Sequence, residues 1–387
     1  MRFFRDILYL SMFGGIGRGT LNREFVPWLC FRVMRDQEAY EDSVVHFQVK
    51  EDQDVCAAAA VRPRMTQDPA VCTPGQAPGT EELRDAGEPF TLAEAWLRDT
   101  GRTPSQEEKT EARRRAEGVL EWLEARKDVT VWTVLDPEYP RRLDVMGTQR
   151  PLTLYIQGSM SSVSFHECGE SGDETADSPA VCVAAPSLGV IGSRWPCEYA
   201  LRHGPAFVEK LVETCSVPVV SGLARGCDRM GHEAAIRAGV PTIAIMPCGP
   251  DQIVPEVNRD LAERILAGHG FLLTEYPPGT PPAEYRYVER DRITAALSSA
   301  IAVVECAEES GTMQTVRAAR SYHRPVACWL PQASEALAGQ GFQGNLRMLQ
   351  SFGAVRLHDM ASLEQFAAQL QMEEKRSSGA PEQLSFL

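Results

Sequence analysis

From residue 188 to residue 335, short apolar runs alternate with amphipathic stretches. The apolar runs are Leu188–Ile191, Val217–Val220, Thr242–Met246, Phe271–Thr274, Ala300–Glu305 and Pro325–Leu330. Between them, Glu198–Thr214, Asp228–Ala238, Asn258–Ala267, Asp291–Ser298 and Thr312–Tyr322 repeat their apolar residues at helical spacing. Strands this short and this apolar are buried on both faces, and alternation with helices predicts a parallel sheet. The expected fold class is α/β, with a Rossmann-like, doubly wound, mostly parallel sheet over residues 188–360.

The flanks follow other periods. Residues 1–34 place Ile7, Leu8, Leu10 and Met12, then Leu21, Phe25, Trp28 and Leu29, at helical spacings, which predicts a small helical N-terminal domain. Between those runs lies Gly14-Gly15-Ile16-Gly17-Arg18-Gly19. It fits a plain interhelical turn, or the turn of a helix-hairpin-helix whose amides meet a DNA phosphate. Residues 35–104 read as a polar, loop-rich region, with no sustained period over 36–90. Residues 105–158 form an extension to the main domain. In it, a helix over Ser105–Arg126 carries Ala116, Val119, Leu120 and Leu123 on one face, and strands follow at Val129–Leu135 and Leu152–Ile156. The Ser-, Glu- and Asp-rich residues 159–187 read as a flexible acidic insertion, and residues 361–387 as a terminal helix and tail.

Composition narrows the class. No run approaches the roughly 18 apolar residues of a membrane span, and Asp6 interrupts the one N-terminal stretch that superficially resembles a secretion signal. A cytoplasmic protein with no membrane association is expected. The 11 cysteines form no Cys-x-x-Cys pair and have no histidine at zinc spacing, so reduced thiols and no bound metal or cofactor are expected. A net charge of −14 argues against a protein that coats nucleic acid with its whole surface. Residues 188–335, however, hold 13 Arg, one Lys and 17 acids, and so carry only −3 of that total. Their positive side is almost purely arginine, whose planar donor fork suits phosphate.

Ligands of a doubly wound sheet sit beyond the carboxyl ends of its strands. The first strand is followed there by Gly192, Ser193 and Arg194, and the second by Ser221, Gly222, Arg225 and Gly226. Gly249 follows the third strand, with Asn258 positioned to cap the next helix, and Arg290 and Arg292 open the helix after the fourth. Ser310, Gly311 and Thr312 follow the fifth. Five such loops on one edge point to a ligand bearing phosphate. Tyr285 and Tyr287 flank Arg286, an aromatic-basic interleaving suited to base stacking, and Tyr276 is a further candidate. Asp228 reads as a helix cap and His232 as a packed polar residue.

Ser221 to Asp228 with His232, then Glu275-Tyr276-Pro277-Pro278-Gly279-Thr280-Pro281-Pro282, then Arg290-Asp291-Arg292-Ile293, resemble the signature loops of the DprA/Smf (DNA-processing protein A) family. Leu135 to Pro140, Leu154 to Gly158 and Asn345 to Leu357 are similar to flanking family segments. The resemblance implies binding of single-stranded DNA in a positive pocket over the strand ends and its delivery to a RecA-type recombinase. It also implies self-association as a homodimer, and no catalysis. Carried over by position, Arg194, Arg225 and Arg290 become the phosphate or base contacts. The last strand and the segment Leu346–Leu357 become the expected self-association surface.

The chain departs from that pattern in ways that make it a divergent member. Asp291 stands where the family loop carries Asn, and Ala296 where it carries Gly. Residues 36–90 have no recognisable counterpart, 159–187 is unusual, and no C-terminal winged helix is expected. Two alternatives remain open. One is a nucleotide-sensing regulator of a defence operon using the same pocket. The other is a nucleoside-monophosphate phosphoribohydrolase-like enzyme, disfavoured because Thr315 occupies the place of its glutamate. Finally, Gln383-Leu384-Ser385-Phe386-Leu387 is similar to a sliding-clamp docking peptide with its last two residues exchanged, and so a sliding clamp is a further candidate partner.

Overall fold

A computed structural model describes residues 4–13, 16–26, 29, 90–136, 138–158, 163–164, 181–182, 186–331 and 341–377. The proposed clamp peptide at 383–387 and Gly14 and Gly15 of the possible hairpin turn lie outside the described residues, as does nearly all of 36–90. The chain divides into two compact units: Met1–Glu121 with Thr133–Pro137 and Thr148–Leu152, and the remainder from Trp122 onward.

The first unit is helical, as its spacing predicts. Helix α1 spans Phe4–Ser11, short helical turns cover Arg18–Thr20 and Leu21–Phe25, and α2 spans Thr91–Asp99. Helix α2 falls inside the region expected to be loop-rich, and this corrects that reading. Its apolar period (Phe90, Ala93, Trp96, Leu97) was present but lies against a long polar stretch. Phe90 stacks on Tyr9 at 4.7 Å and Trp96 meets Phe25 edge-on at 5.6 Å, so α2 completes the small core. Helix α3, Gln106–Glu124, starts where the sequence places it. Ser105 Oγ accepts from the Glu108 amide and the Glu108 carboxylate accepts from the Ser105 amide, a reciprocal cap.

The second unit is built on a sheet of nine strands, in the order β1-β2-β8-β7-β6-β5-β9-β10-β11. These are β1 (Val129–Thr133), β2 (Thr153–Gln157), β5 (Leu188–Ile191), β6 (Val219–Ser221), β7 (Thr242–Ile245), β8 (Phe271–Thr274), β9 (Ala300–Val303), β10 (Val326–Trp329) and β11 (Val355–Leu357). β5 to β11 all pair in parallel, and β2 adds to β8 antiparallel. Within 159–187, Val163–Ser164 (β3) and Val181–Cys182 (β4) pair in parallel as a separate ribbon. The helices of this unit are α4 (Glu198–Cys215), α5 (Cys227–Ala238), α6 (Arg259–Ala267), α7 (Glu284–Leu297), α8 (Thr312–Ser321), α9 (Gln343–Ser351) and α10 (Met360–Ser377).

Strand alternation divides the core into two layers. Leu188 and Val190 of β5 pack with residues of α4, α5 and α10, while Ile191 packs on the other face with α7, α8 and α9. Sequence order runs outward from β5 in one direction and from β9 in the other, so the switch point lies between these two neighbours.

One boundary differs in a way that matters. Helix α7 begins at Glu284, directly after Pro281-Pro282, and not at Asp291. The prolines fix extended backbone up to Ala283 and the helix starts at the first free residues. Tyr285, Tyr287 and Arg290 are therefore helical residues, and Arg290 lies in the second turn of α7, not at its mouth.

Candidate nucleic-acid interface

The C-terminal ends of β5 and β6 are joined by tightly interlocked loops. The Ser193 amide donates to the Glu305 carbonyl at 2.8 Å, and the Cys227 amide donates to the Ser193 carbonyl at 3.0 Å. A Cβ on Gly192 would lie 2.7 Å from both Cys227 and the Glu305 carbonyl, so only glycine lets these strands approach so closely. Gly226 has φ +72°, and a Cβ there would overlap the Ser193 carbonyl. The loops are thus rigid by backbone packing, and side chains at their tips are presented in fixed positions.

Two arginines stand on that platform. Arg194 is exposed and lies over the Tyr287 ring at 4.8 Å, and Arg225 is exposed and lies over the Trp195 ring at 5.2 Å. Such pairs hold a guanidinium in place while leaving its donors to solvent or a ligand. Trp195 is 73% exposed. Sequence reasoning passed over it, although its place directly after Arg194 was the available signal.

Arg290 is different from the other two. It is buried, with Nη2 3.8 Å from Asp228 Oδ2 and Nε 3.4 Å from Asp291 Oδ1. The contact with Asp291 is an ion pair without hydrogen-bond alignment, which leaves Nε without a hydrogen bond. Asp228 also accepts from the Gly222 and Ala224 amides at 3.2 and 3.3 Å. It therefore closes the β6–α5 loop from within and is not the helix cap expected of it, since α5 begins at Cys227 with Gly226 as its N-cap, and it takes the loop amides that a phosphate would otherwise meet. Burial pushes the Asp228 carboxyl up against the pull of Arg290. Asp291 is pushed up to about 6, mainly by burial.

Several expected site residues are scaffold instead. Ser221 Oγ is buried and donates to the Val190 carbonyl at 2.6 Å. Asn258 caps no helix: its Nδ2 donates to the Leu223 carbonyl at 2.9 Å and its Oδ1 accepts from Arg229 at 2.8 Å. That first bond steadies Leu223, a non-glycine residue at φ +58° in the middle of the β6–α5 loop. Arg292 makes two bonds to Glu275 at 2.6 and 2.7 Å, with both side chains largely buried. Gly249 is buried against the proline loop, its amide donating to the Thr280 carbonyl at 2.9 Å. Tyr276 is buried and donates to Glu289 at 2.6 Å, which removes it from stacking.

The remaining candidates stay at the surface. Gly311 is exposed at the start of α8, beside half-buried Ser310 and Thr312, and Tyr285 is 58% exposed. The amide of Cys197, which caps α4, donates to Glu305 Oε2 at 2.8 Å, so a buried carboxylate of the chain itself occupies that helix N-terminus.

His232 is buried, with Nδ1 2.7 Å from Thr242 Oγ1, while Thr242 donates its one hydroxyl proton to the Val219 carbonyl. His232 therefore carries its proton on Nδ1 and donates to Thr242. Burial, then Arg290, lowers it to about 3, so the imidazole is neutral. Among the described residues no cluster of His, Cys, Asp or Glu is placed to hold a metal, and no helix is long and apolar enough to cross a membrane.

The sequence profile of the DNA recombination-mediator protein A family matches residues 178–367. Protein Smf of Escherichia coli K12 is 32% identical over 252 residues, which cover 64% of this chain and 58% of that protein. Protein Smf of Synechocystis is 32% identical over 235 residues, 58% of this chain and 54% of that protein. The chain thus spans little more than half the length of these curated relatives. The crystal structure of DNA processing protein A from Streptococcus pneumoniae shares the fold with a TM-score of 0.53 at 19% identity, covering 93% of this chain and 96% of that one. The residues that the family profile matches contain the whole switch-point region and the interlocked loops, and this domain, residues 178–367, is of the DprA/Smf family.

Proposed function

We propose that this chain is a DNA-processing protein that holds single-stranded DNA across the C-terminal ends of β5 and β6, and does so without catalysis. The observation that carries the reading is the pair of exposed arginines, Arg194 and Arg225, each held over an aromatic ring beside the switch point. Guanidinium groups meet phosphates, and unpaired bases offer faces to aromatic rings; a duplex hides those faces. The family's naming as DNA-processing and recombination-mediator proteins agrees with this ligand. Delivery of the strand to a RecA-type recombinase and self-association follow as proposals from family membership. Strand β11, paired with β10 on one side and at the edge of the sheet on the other, is the self-association candidate.

The test is a fluorescence-anisotropy titration with single-stranded, duplex and competing free nucleotides. Single strands of ten or more nucleotides should bind tightest, with affinity falling as salt rises because bound arginines displace counterions. Equal affinity for duplex overturns the reading. Displacement of the strand by micromolar free nucleotide would favour a nucleotide sensor in its place.

A further inference from the structure

We infer that Trp195 is a nucleobase-stacking platform, a ligand contact this chain adds beside the phosphate-binding arginines. The inference rests on the single-stranded DNA reading above and assigns the residue that receives a base.

Exposure is the first observation. A tryptophan buries most of its large surface in nearly every folded setting, and Trp195 leaves 73% of its own in solvent. Looseness does not explain it. The Trp195 amide donates to Ser193 Oγ at 3.1 Å, and Ser193 is in turn fixed through both its amide and its carbonyl. The backbone that carries the ring is thus anchored to the loops beside it.

Orientation is the second. Arg225 lies over the Trp195 ring at 5.2 Å, and so one element of the β6–α5 loop fixes the ring of the β5–α4 loop. Trp195 directly follows Arg194, whose guanidinium is held over Tyr287. Two cations and two rings are therefore interleaved along one short stretch of surface. A phosphate drawn to Arg194 or Arg225 brings its own base within reach of the exposed indole. Stacking on an aromatic face is tolerant of base identity, because every base has a π-face. The site accordingly recognises an unpaired nucleotide without reading its sequence.

Tyr285 and Tyr287 were the aromatics the sequence singled out. Tyr287 is half-buried with Arg194 over its ring, and Arg286 lies 5.1 Å from the centroid of Tyr285. Trp195 is the most exposed large aromatic of the described residues.

The experiment compares wild type, Trp195→Ala and Trp195→Phe for binding an oligothymidine and an abasic oligonucleotide of equal length. Trp195→Ala should lose about tenfold or more for oligothymidine and leave the abasic affinity unchanged, and Trp195→Phe should retain most of the binding. Quenching of tryptophan fluorescence by oligothymidine in the wild type should be largely lost in Trp195→Phe, although the other five of the chain's six tryptophans remain. Unchanged affinity of Trp195→Ala for oligothymidine, or equal losses for both oligonucleotides, overturns the platform and leaves the DNA site standing. A wild type that binds neither oligonucleotide overturns the proposed function, and the platform with it.

Discussion

The guanidinium of Arg290 rests on the backbone of Gly222, so closely that a Cβ at residue 222 would overlap Nη1. The arginine reaches this place from the second turn of α7, and the glycine belongs to the loop that Asp228 closes. Gly222→Ala should therefore displace Arg290 and strand the buried Asp228 carboxylate without its cation. A cost on the order of 3 kcal/mol is expected, at the lower end of the range for broken buried charge pairs. Chemical denaturation of the variant, followed by a DNA titration at a temperature where it remains folded, checks both consequences. Wild-type stability in this variant would mean that Arg290 has another resting place.

The three arginines expected to contact DNA should separate by phenotype. Arg194→Ala and Arg225→Ala should each weaken binding of single-stranded DNA about tenfold with little change in melting temperature. Their side chains are exposed, and a charged hydrogen bond contributes about 1.5–3 kcal/mol. Arg290→Ala should lower the melting temperature as well, because it leaves Asp228 and Asp291 facing each other without their shared cation. Parallel binding titrations and thermal melts distinguish the two classes.

How far this division was legible is instructive residue by residue. The strands from Leu188 to Trp329 declared themselves because they are short, apolar and separated by amphipathic helices, and burial on both faces leaves no other reading. The loops rich in glycine and arginine were legible as a set. Their internal division was not, since Arg194 and Arg290 look alike in sequence and differ in whether α7 begins at residue 284 or 291. Composition cannot tell that Ser221 and Asn258 satisfy neighbouring carbonyls, because long-range partners such as Val190 and Leu223 decide it. Helix α2 was hidden by its polar flank, and Trp195 by being a single aromatic with no period around it.

Asp291 stands at a position where the family pattern carries a neutral amide, and its carboxyl is pushed up to about 6. It faces Arg290, Asp228 and Thr315, with Arg194 near enough to pull it down. As pH falls through about 6 the group gains a proton and the pocket loses a negative charge. Affinity for the phosphate backbone should rise accordingly, by about three- to tenfold between pH 8 and 5 at constant salt. His232, held near 3, stays neutral across that range and does not contribute. Asp291→Asn should bind at pH 8 with the tighter affinity and show a shallower profile, with Asp228 the remaining carboxyl that burial pushes up in this pocket. A variant that follows the wild-type curve would assign the dependence to another group.

In the first unit, Asp6 does for α2 what no local residue does. The N-cap of that helix is Phe90, at φ 74° and without a side-chain cap, and the Ala93 amide instead donates to Asp6 Oδ1 at 2.8 Å. Asp6 is 5% exposed, and burial raises its carboxyl from 3.8 to about 6 despite the bonds from Ala93 and Leu92. A folded-state value above the unfolded one means that the folded protein binds the proton more tightly. The stability this contributes is fully present below about 3.8 and is lost as pH rises through about 6. Over that window the difference amounts to about 3 kcal/mol at most. Carboxylates such as Asp128, held low by Arg126, act in the opposite sense and mask the effect in the wild type alone. The useful quantity is therefore the stability of Asp6→Asn minus that of wild type, measured by denaturant unfolding from pH 4 to 8. The amide keeps an acceptor for the Ala93 N–H and carries no charge, so the difference should grow in favour of the variant as pH rises. Parallel curves across the range would show that Asp6 titrates in the folded protein as it does in the unfolded chain.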